Sequence, residues 1–285
     1  MLKIRLICGT LMTVFFVGIL LLDGRLDLPA GCSARGIEAQ ATLLCILIAA
    51  LIVLGHLELS NLVAARGLTV FKPFAVVCSV ALATTWYWPQ LLSIALDKYL
   101  AAVAAAAVLG LFLLQYLRFG TTNVVSNCGA NLFAIFYLGL FPAFFVLLRI
   151  EKGPWPLLMF ITTVKCTDIG AYTAGSLWGK HKFSPHISPK KTWEGMAGGI
   201  VFAVAAAVLF ALISGIMSWL LAVLFAVVFA FIGQLGDLAE SLIKRDAQYK
   251  DASSRVPGFG GLLDVIDSPL LAAPFAYLFF VLVCP

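Results

Sequence analysis

Residues 217–251 read MSWLLAVLFAVVFAFIGQLGDLAESLIKRDAQYKD, and their reading decides the fold. No charged residue occurs between 217 and 235. Such a run approaches the length of about 20 residues that carries a helix across the hydrocarbon core of a bilayer. The run then passes, without a proline, into a segment rich in acids and bases. If the helix continues, Asp237, Ser241 and Lys244 share one face, and Glu240 stands at i, i+4 from Lys244. A carboxylate, a hydroxyl and a cation are then lined up at the membrane surface. One stretch supplies both a span and the beginning of a polar site.

The rest of the chain repeats the first half of that pattern. Of its 285 residues, 62% are hydrophobic and 12% charged, against about half and about a quarter in a soluble domain. These values predict an all-α polytopic integral membrane protein. About nine spans are expected, near 4–22, 41–59, 70–88, 99–117, 129–148, 154–176, 196–214, 217–235 and 268–284. The first follows Lys3 and Arg5 as a secretory signal would. It is long for one, and no clean small-residue cleavage site follows, so it is taken as a span. With nine spans, thirteen Lys and Arg fall on the side of the N-terminus and five on the other, with Lys165 inside a span. The positive-inside rule places the N-terminus and the charged loops in the cytoplasm.

The seven cysteines are scattered and form no CxxC pair, which argues against a zinc site or a disulfide framework. The net charge of +5 suits a cytoplasmic face against anionic lipid and gives no reason to invoke nucleic acid. Residues 1–150 carry few ionisable groups and are expected to form a scaffold of transmembrane helices, a candidate for homodimerisation. Its alanine-rich segment YLAAVAAAAVLGLFLL, 99–114, suits close helix packing in lipid. His56 and Glu58 are expected to pack at an interface there. Residues 151–285 hold the polar stretches and are expected to form a catalytic region around a cytoplasm-facing polar cavity.

Lys165 and Asp168 lie at membrane depth, where a charge costs about 2.5–3.5 kcal/mol on insertion scales. They are three residues apart and therefore neighbours on one helix face. They form either a self-neutralising pair in the bundle or the wall of a cavity open to the cytoplasm. The stretch HISPKKTWEG, 186–195, poses a different problem. Ser188 followed by Pro189 reads as a helix start, with serine as cap and proline at the first position. Lys190 and Lys191 would then repel the positive end of the helix dipole. A bound anion reverses that objection, so free amides, the Ser188 hydroxyl and two ammonium groups read as a phosphate cradle. The alternative is a basic lipid anchor, with Trp193 at the interface.

Lys250, Asp251 and Arg255 follow in a polar stretch, then PGFGG, 257–261, reads as a glycine-permitted turn. Asp264 and Asp267 come next, three apart at the start of the last span. Aspartates at 237, 264 and 267 near one water–lipid boundary suggest ligands for a hard cation. Magnesium takes carboxylate and substrate phosphate oxygens together.

The segments DIGAYTAGSLWGKHKFSPHISPKKTWEG, 168–195, and GDLAESLIKRDAQYKD…PGFGGLLDVIDS, 236–268, resemble the CDP-diacylglycerol synthases, or phosphatidate cytidylyltransferases. The resemblance covers about residues 160–285. It implies a nucleotidyltransferase of phospholipid biosynthesis that turns CTP and phosphatidate into CDP-diacylglycerol and pyrophosphate. It also implies a bacterial inner-membrane location, magnesium dependence and a companion potassium ion. By the same resemblance Asp237 and Asp264 bind metal, with Asp267, Lys244, Arg245, Lys250 and Asp251 close around them. Asp168, Ser188, Lys190, Lys191, Thr192 and Ser241 handle nucleotide and phosphate. Two positions depart from the family pattern: Phe259 stands where histidine is common, and Val265 where arginine is common. The alternatives are a cytidylyltransferase for another lipid phosphate and, in a different class, an ion-coupled transporter using Lys165 and Asp168.

Overall fold

A computed structural model of the chain describes residues 2–27, 39–253, 255 and 260–283, with side chains from residue 11 onward. The elements are α1 (Leu2–Asp23), α2 (Thr42–Ala65), α3 (Lys72–Ala83), α4 (Trp88–Leu91), α5 (Leu96–Phe119) and α6 (Val124–Ile135). A π-helical turn, Phe136–Leu140, joins α6 to α7 (Phe141–Lys152). Then come α8 (Pro154–Trp178), β1 (Lys182–Ser184), β2 (Ser188–Thr192), α9 (Trp193–Ser214), α10 (Trp219–Asp246) and α11 (Leu263–Val283).

Among the described residues, six helices are long and apolar enough to cross a membrane: α2, α5, α6 through α7, α9, α10 and α11. The chain is an integral membrane protein of predominantly helical fold. The expected span near 70–88 takes a different form. Its helix, α3, stops after 12 residues, because the hydroxyls of Thr84 and Thr85 bond back to carbonyls of the preceding turn and Pro89 opens α4 just beyond.

The chain forms two compact units, Met1–Glu151 with Asp246–Leu263, and Lys152–Arg245 with Asp264–Pro285. In the first, Val70, Phe71, Ala75, Cys78, Leu82, Ala107, Leu111, Cys128 and Ile135 form an apolar core. Polar side chains inside it are matched to backbone. Asn131 accepts from Phe71 N and donates to Thr69 O, both at 2.8 Å, and Asp23 accepts from Leu43 N and Leu44 N at the start of α2. His56 and Glu58 are fully buried, not interfacial. His56 Nε2 meets Ser79 Oγ at 2.8 Å. Glu58 accepts from Ser253 Oγ, Leu262 N and Leu263 N at 2.6, 3.0 and 2.9 Å, binding the two ends of the 253–262 segment to one carboxylate. A carboxylate against free amides at the start of α11 is also favoured by the helix dipole.

In the second unit, α8 and α9 meet along small residues. A Cβ placed on Gly170 would stand 2.6 Å from Gly198 O, and one on Gly199 3.0 Å from Thr167 O. This is the close backbone approach by which membrane helices associate, where lipid removes the usual hydrophobic drive. At another point of the unit Phe225 meets Phe229, Phe279 and Phe280, and Phe229 meets Phe279, in tilted and edge-on contacts.

Candidate active site

The second unit gathers charged side chains from α8, β2, α10 and α11. The 28 residues of α10 rise about 42 Å at 1.5 Å per residue, more than the about 30 Å of a bilayer core. Its last turns, from Asp237 onward, are therefore free to carry charge. What brings them to α11 is Gly236: a Cβ there would lie 2.8 Å from Asp267 O and 3.0 Å from both Ser268 Cα and Ser268 O. Only a glycine allows the two backbones to come this close.

Three interlocked groups result. Lys191 Nζ pairs with Asp237 Oδ2 at 2.8 Å and donates to Gln234 O at 3.2 Å, while Ser241 Oγ donates to Asp237 Oδ1 at 3.4 Å. Lys244, buried, pairs with both Glu240 and Asp264. Lys165 Nζ pairs with Asp168 Oδ2 at 3.2 Å and donates to Val265 O at 2.6 Å. Asp168 Oδ1 accepts from Gln234 Nε2 and Ser268 Oγ, both at 3.4 Å. Ser268 also donates to Asp267 Oδ1 through its amide, at 2.6 Å, and its hydroxyl, at 3.3 Å.

One oxygen each from Asp237, Glu240 and Asp267 lies within 4.8 Å of the other two. Glu240 and Asp267 are buried, and Glu240 Oε1 accepts no hydrogen bond. Among the described residues of this network, five carboxylates (Asp168, Asp237, Glu240, Asp264 and Asp267) stand against three ammonium groups (Lys165, Lys191 and Lys244). An uncompensated charge out of water is costly. A divalent cation held by this cluster would supply positive charge, and an all-oxygen donor set suits magnesium. The residues present fit the ion.

The expected members are distributed as follows. Asp168, Lys191, Asp237, Ser241, Lys244, Asp264 and Asp267 are all in this network. Asp264 is held by Lys244, and Glu240 joins Asp237 and Asp267 in the carboxylate cluster. Glu240 had been read only as the i, i+4 partner of Lys244; its spacing of three from Asp237 on one helix face was the available signal. Arg245 is exposed and donates to Ile187 O at 3.1 Å. Lys250 and Asp251 are exposed and belong to the first unit. Phe259, with Pro257 and Gly258, lies outside the described residues.

The helix start expected at Ser188 is corrected by the structure. Ser188–Thr192 is a strand, antiparallel to Lys182–Ser184. A residue before proline is biased toward extended backbone, and Ser188 follows that bias. The helix begins at Trp193, with Thr192 as cap accepting from Gly195 N at 3.1 Å. Glu194 fills the first turn, as the dipole prefers, and accepts from Lys180 N and His181 N. Lys190 and Lys191 therefore do not sit on a helix terminus. They alternate across a strand: Lys190 is exposed, and Lys191 turns inward to Asp237. The two-ammonium cradle reduces to one lysine. A cavity of about 460 Å³ elsewhere in this unit is lined by Trp155, Ile216, Leu221 and Phe280 and holds none of the site carboxylates.

The profile of the cytidylyltransferase family matches residues 3–283. A phosphatidate cytidylyltransferase of Mycobacterium leprae is 37% identical over 157 residues, 55% of this chain and 50% of that protein. One of Bacillus subtilis is 36% identical over 159 residues, 55% of this chain and 59% of that protein. The chloroplastic phosphatidate cytidylyltransferase 4 of Arabidopsis thaliana is 30% identical over 289 residues, 89% of this chain and 70% of that protein. The matched region spans about half the length of the curated mycobacterial relatives.

Proposed function

Because the chain belongs to the cytidylyltransferase family, we propose that it transfers the cytidylyl group of CTP to phosphatidate, releasing pyrophosphate. A phosphate oxygen of the lipid attacks the α-phosphorus of CTP; the bond from that phosphorus to the bridging oxygen breaks, and its electrons leave with pyrophosphate. The phosphatidate nucleophile is already ionised near neutral pH, so the step needs positioning and charge neutralisation more than a base. The observation that supports this reading best is the cluster of Asp237, Glu240 and Asp267, one oxygen of each within 4.8 Å of the other two.

On this reading Asp237, Glu240 and Asp267 hold magnesium, which when bound supplies positive charge to the triphosphate. Lys191, already beside Asp237, neutralises a phosphate oxygen. Lys244 holds Glu240 and Asp264 in register. Asp168, Ser241 and Thr192 orient the nucleotide side, with Ser188 and Lys190 at the rim and Arg245 on the approach for anionic substrates. Potassium is the companion ion that the family resemblance implies. The chain crosses the inner membrane about nine times, with α1, α8 and the broken 70–88 segment (α3 and α4) joining the six long helices. Its N-terminus and polar cavity face the cytoplasm. The sparsely buried α5 offers a surface for homodimerisation within the bilayer. The test is direct: purified protein with magnesium, phosphatidate and labelled CTP should yield labelled CDP-lipid. Absence of product with phosphatidate and with isoprenoid phosphates alike would reject the proposal.

A further inference from the structure

Pro269 lies inside α11 and is buried. In a regular α-helix the amide of residue 269 would occupy the carbonyl of residue 265; proline has no amide hydrogen, so Val265 O is left without its helical partner. A carbonyl in that state, partly removed from water, needs another donor. Lys165, reaching from α8, supplies it at 2.6 Å. The same ammonium binds Asp168 Oδ2, and the other oxygen of Asp168 accepts from Ser268 Oγ. The Ser268 amide in turn donates to Asp267 Oδ1 at 2.6 Å, and its one hydroxyl proton is shared between Asp168 and Asp267. A continuous line of contacts runs from the gap left by Pro269, through Lys165, Asp168 and Ser268, to a carboxylate of the candidate ion site.

We infer that Pro269 is a positioning residue: it keeps the Val265 carbonyl open as a seat for Lys165, whose fixed ammonium orients Asp168, Ser268 and finally Asp267 toward a divalent cation. The inference rests on the proposed function only in taking Asp267 as a ligand. Two features of the site support it. Lys165 and Asp168 are each about one-third exposed, and an ion pair that open to water is loosely held when it stands alone. The carbonyl gives the ammonium a second, rigid anchor on the same helix as Asp267. The contact also uses the backbone of Val265 and not its side chain, so the apolar residue at 265 is compatible with it.

The deciding variant is Pro269→Ala, which restores an amide for Val265 O and changes no charge. A helix that gains a hydrogen bond and loses a proline should be at least as stable, so a merely structural proline predicts equal or better performance throughout. The positioning role predicts the opposite split. The thermal midpoint of the full chain in detergent stays or rises. The dissociation constant for Mn²⁺, read by electron paramagnetic resonance without turnover, rises about tenfold, the usual effect of losing a group that orients a metal ligand. CDP-lipid formation falls in step. Pro274→Ala, at the second proline of α11, leaves Mn²⁺ binding unchanged. If Pro269→Ala cannot be purified, Ser268→Ala decides, because it removes the hydroxyl that joins Asp168 to Asp267 while keeping the 268 amide and altering no charge; weakened Mn²⁺ binding supports the inference. Wild-type affinity in Pro269→Ala, or in Ser268→Ala when that variant decides, overturns it while leaving the proposed function standing. A wild-type chain that binds no Mn²⁺ overturns both.

Discussion

Gly236→Ala tests whether the ion site depends on the close approach of α10 and α11. The added methyl would stand 2.8 Å from Asp267 O and 3.0 Å from Ser268 Cα and Ser268 O, where ordinary contact begins at 3.4 Å. The shortfalls of 0.6 and 0.4 Å fall on backbone atoms, which cannot rotate away. The helices must separate by about 0.5 Å, at a cost of about 1–3 kcal/mol for overpacking. A shift of that size also reaches the tolerance of about 0.5 Å within which a functional constellation has to be held. Asp237 and Glu240 ride on one helix and Asp267 on the other, so the separation acts directly on the carboxylate cluster. We expect turnover and Mn²⁺ affinity to fall about tenfold or more, since a displacement near 1 Å costs about a hundredfold. The assay is CDP-lipid formation across a magnesium titration, alongside thermal unfolding in detergent. Gly129→Ala is the control: it lies in α6 with nothing within 4 Å of the added methyl, and the change from glycine to alanine there should raise stability by about 0.5–1 kcal/mol without touching activity. A Gly236→Ala protein with wild-type magnesium dependence would refute the reasoning.

Other perturbations separate the parts of the site. Asp267→Asn and Asp237→Asn should each abolish turnover while the protein still inserts and folds, as judged by size-exclusion chromatography; near-normal activity in either would remove that residue from the ion site. Lys244→Met strands Glu240 and Asp264 together and should lower stability by about 3–5 kcal/mol, the scale for breaking a buried pair. Lys244→Met with Glu240→Gln should recover part of that loss in a denaturant titration. Thr192→Ala removes the cap of α9 and should cost about 0.5–2 kcal/mol, whereas Ser188→Ala, in the strand, should leave unfolding unchanged.

The spans were legible because a bilayer leaves few alternatives: a charge-free run long enough to cross must be satisfied by its own backbone, and helices do that. The six long helices lie where the apolar runs put them. The motifs at 168–195 and 236–268 were legible as a resemblance, and the polar residues they flagged meet largely in one unit. Three things were hidden. The hairpin at 182–192 was misread as a helix start, because serine before proline is both a cap signal and an extended-backbone signal, and only the pairing of Lys182 with Thr192 decides between them. The place of Glu240 beside Asp237 and Asp267 depends on how near α10 comes to α11, which Gly236 allows but does not announce. The burial of Glu58 was missed because its partners, Ser253, Leu262 and Leu263, are some two hundred residues away in the chain. Each hidden feature is a pairing between segments, which the periodicity of any one segment does not carry.

The most direct measurement is the anomalous-scattering map of crystals grown with Mn²⁺ and CTP. The account predicts a peak bounded by oxygens of Asp237 and Asp267, at about 2.0–2.3 Å, with the triphosphate completing the shell. A map in which no peak touches Asp237, Glu240 or Asp267 would contradict it.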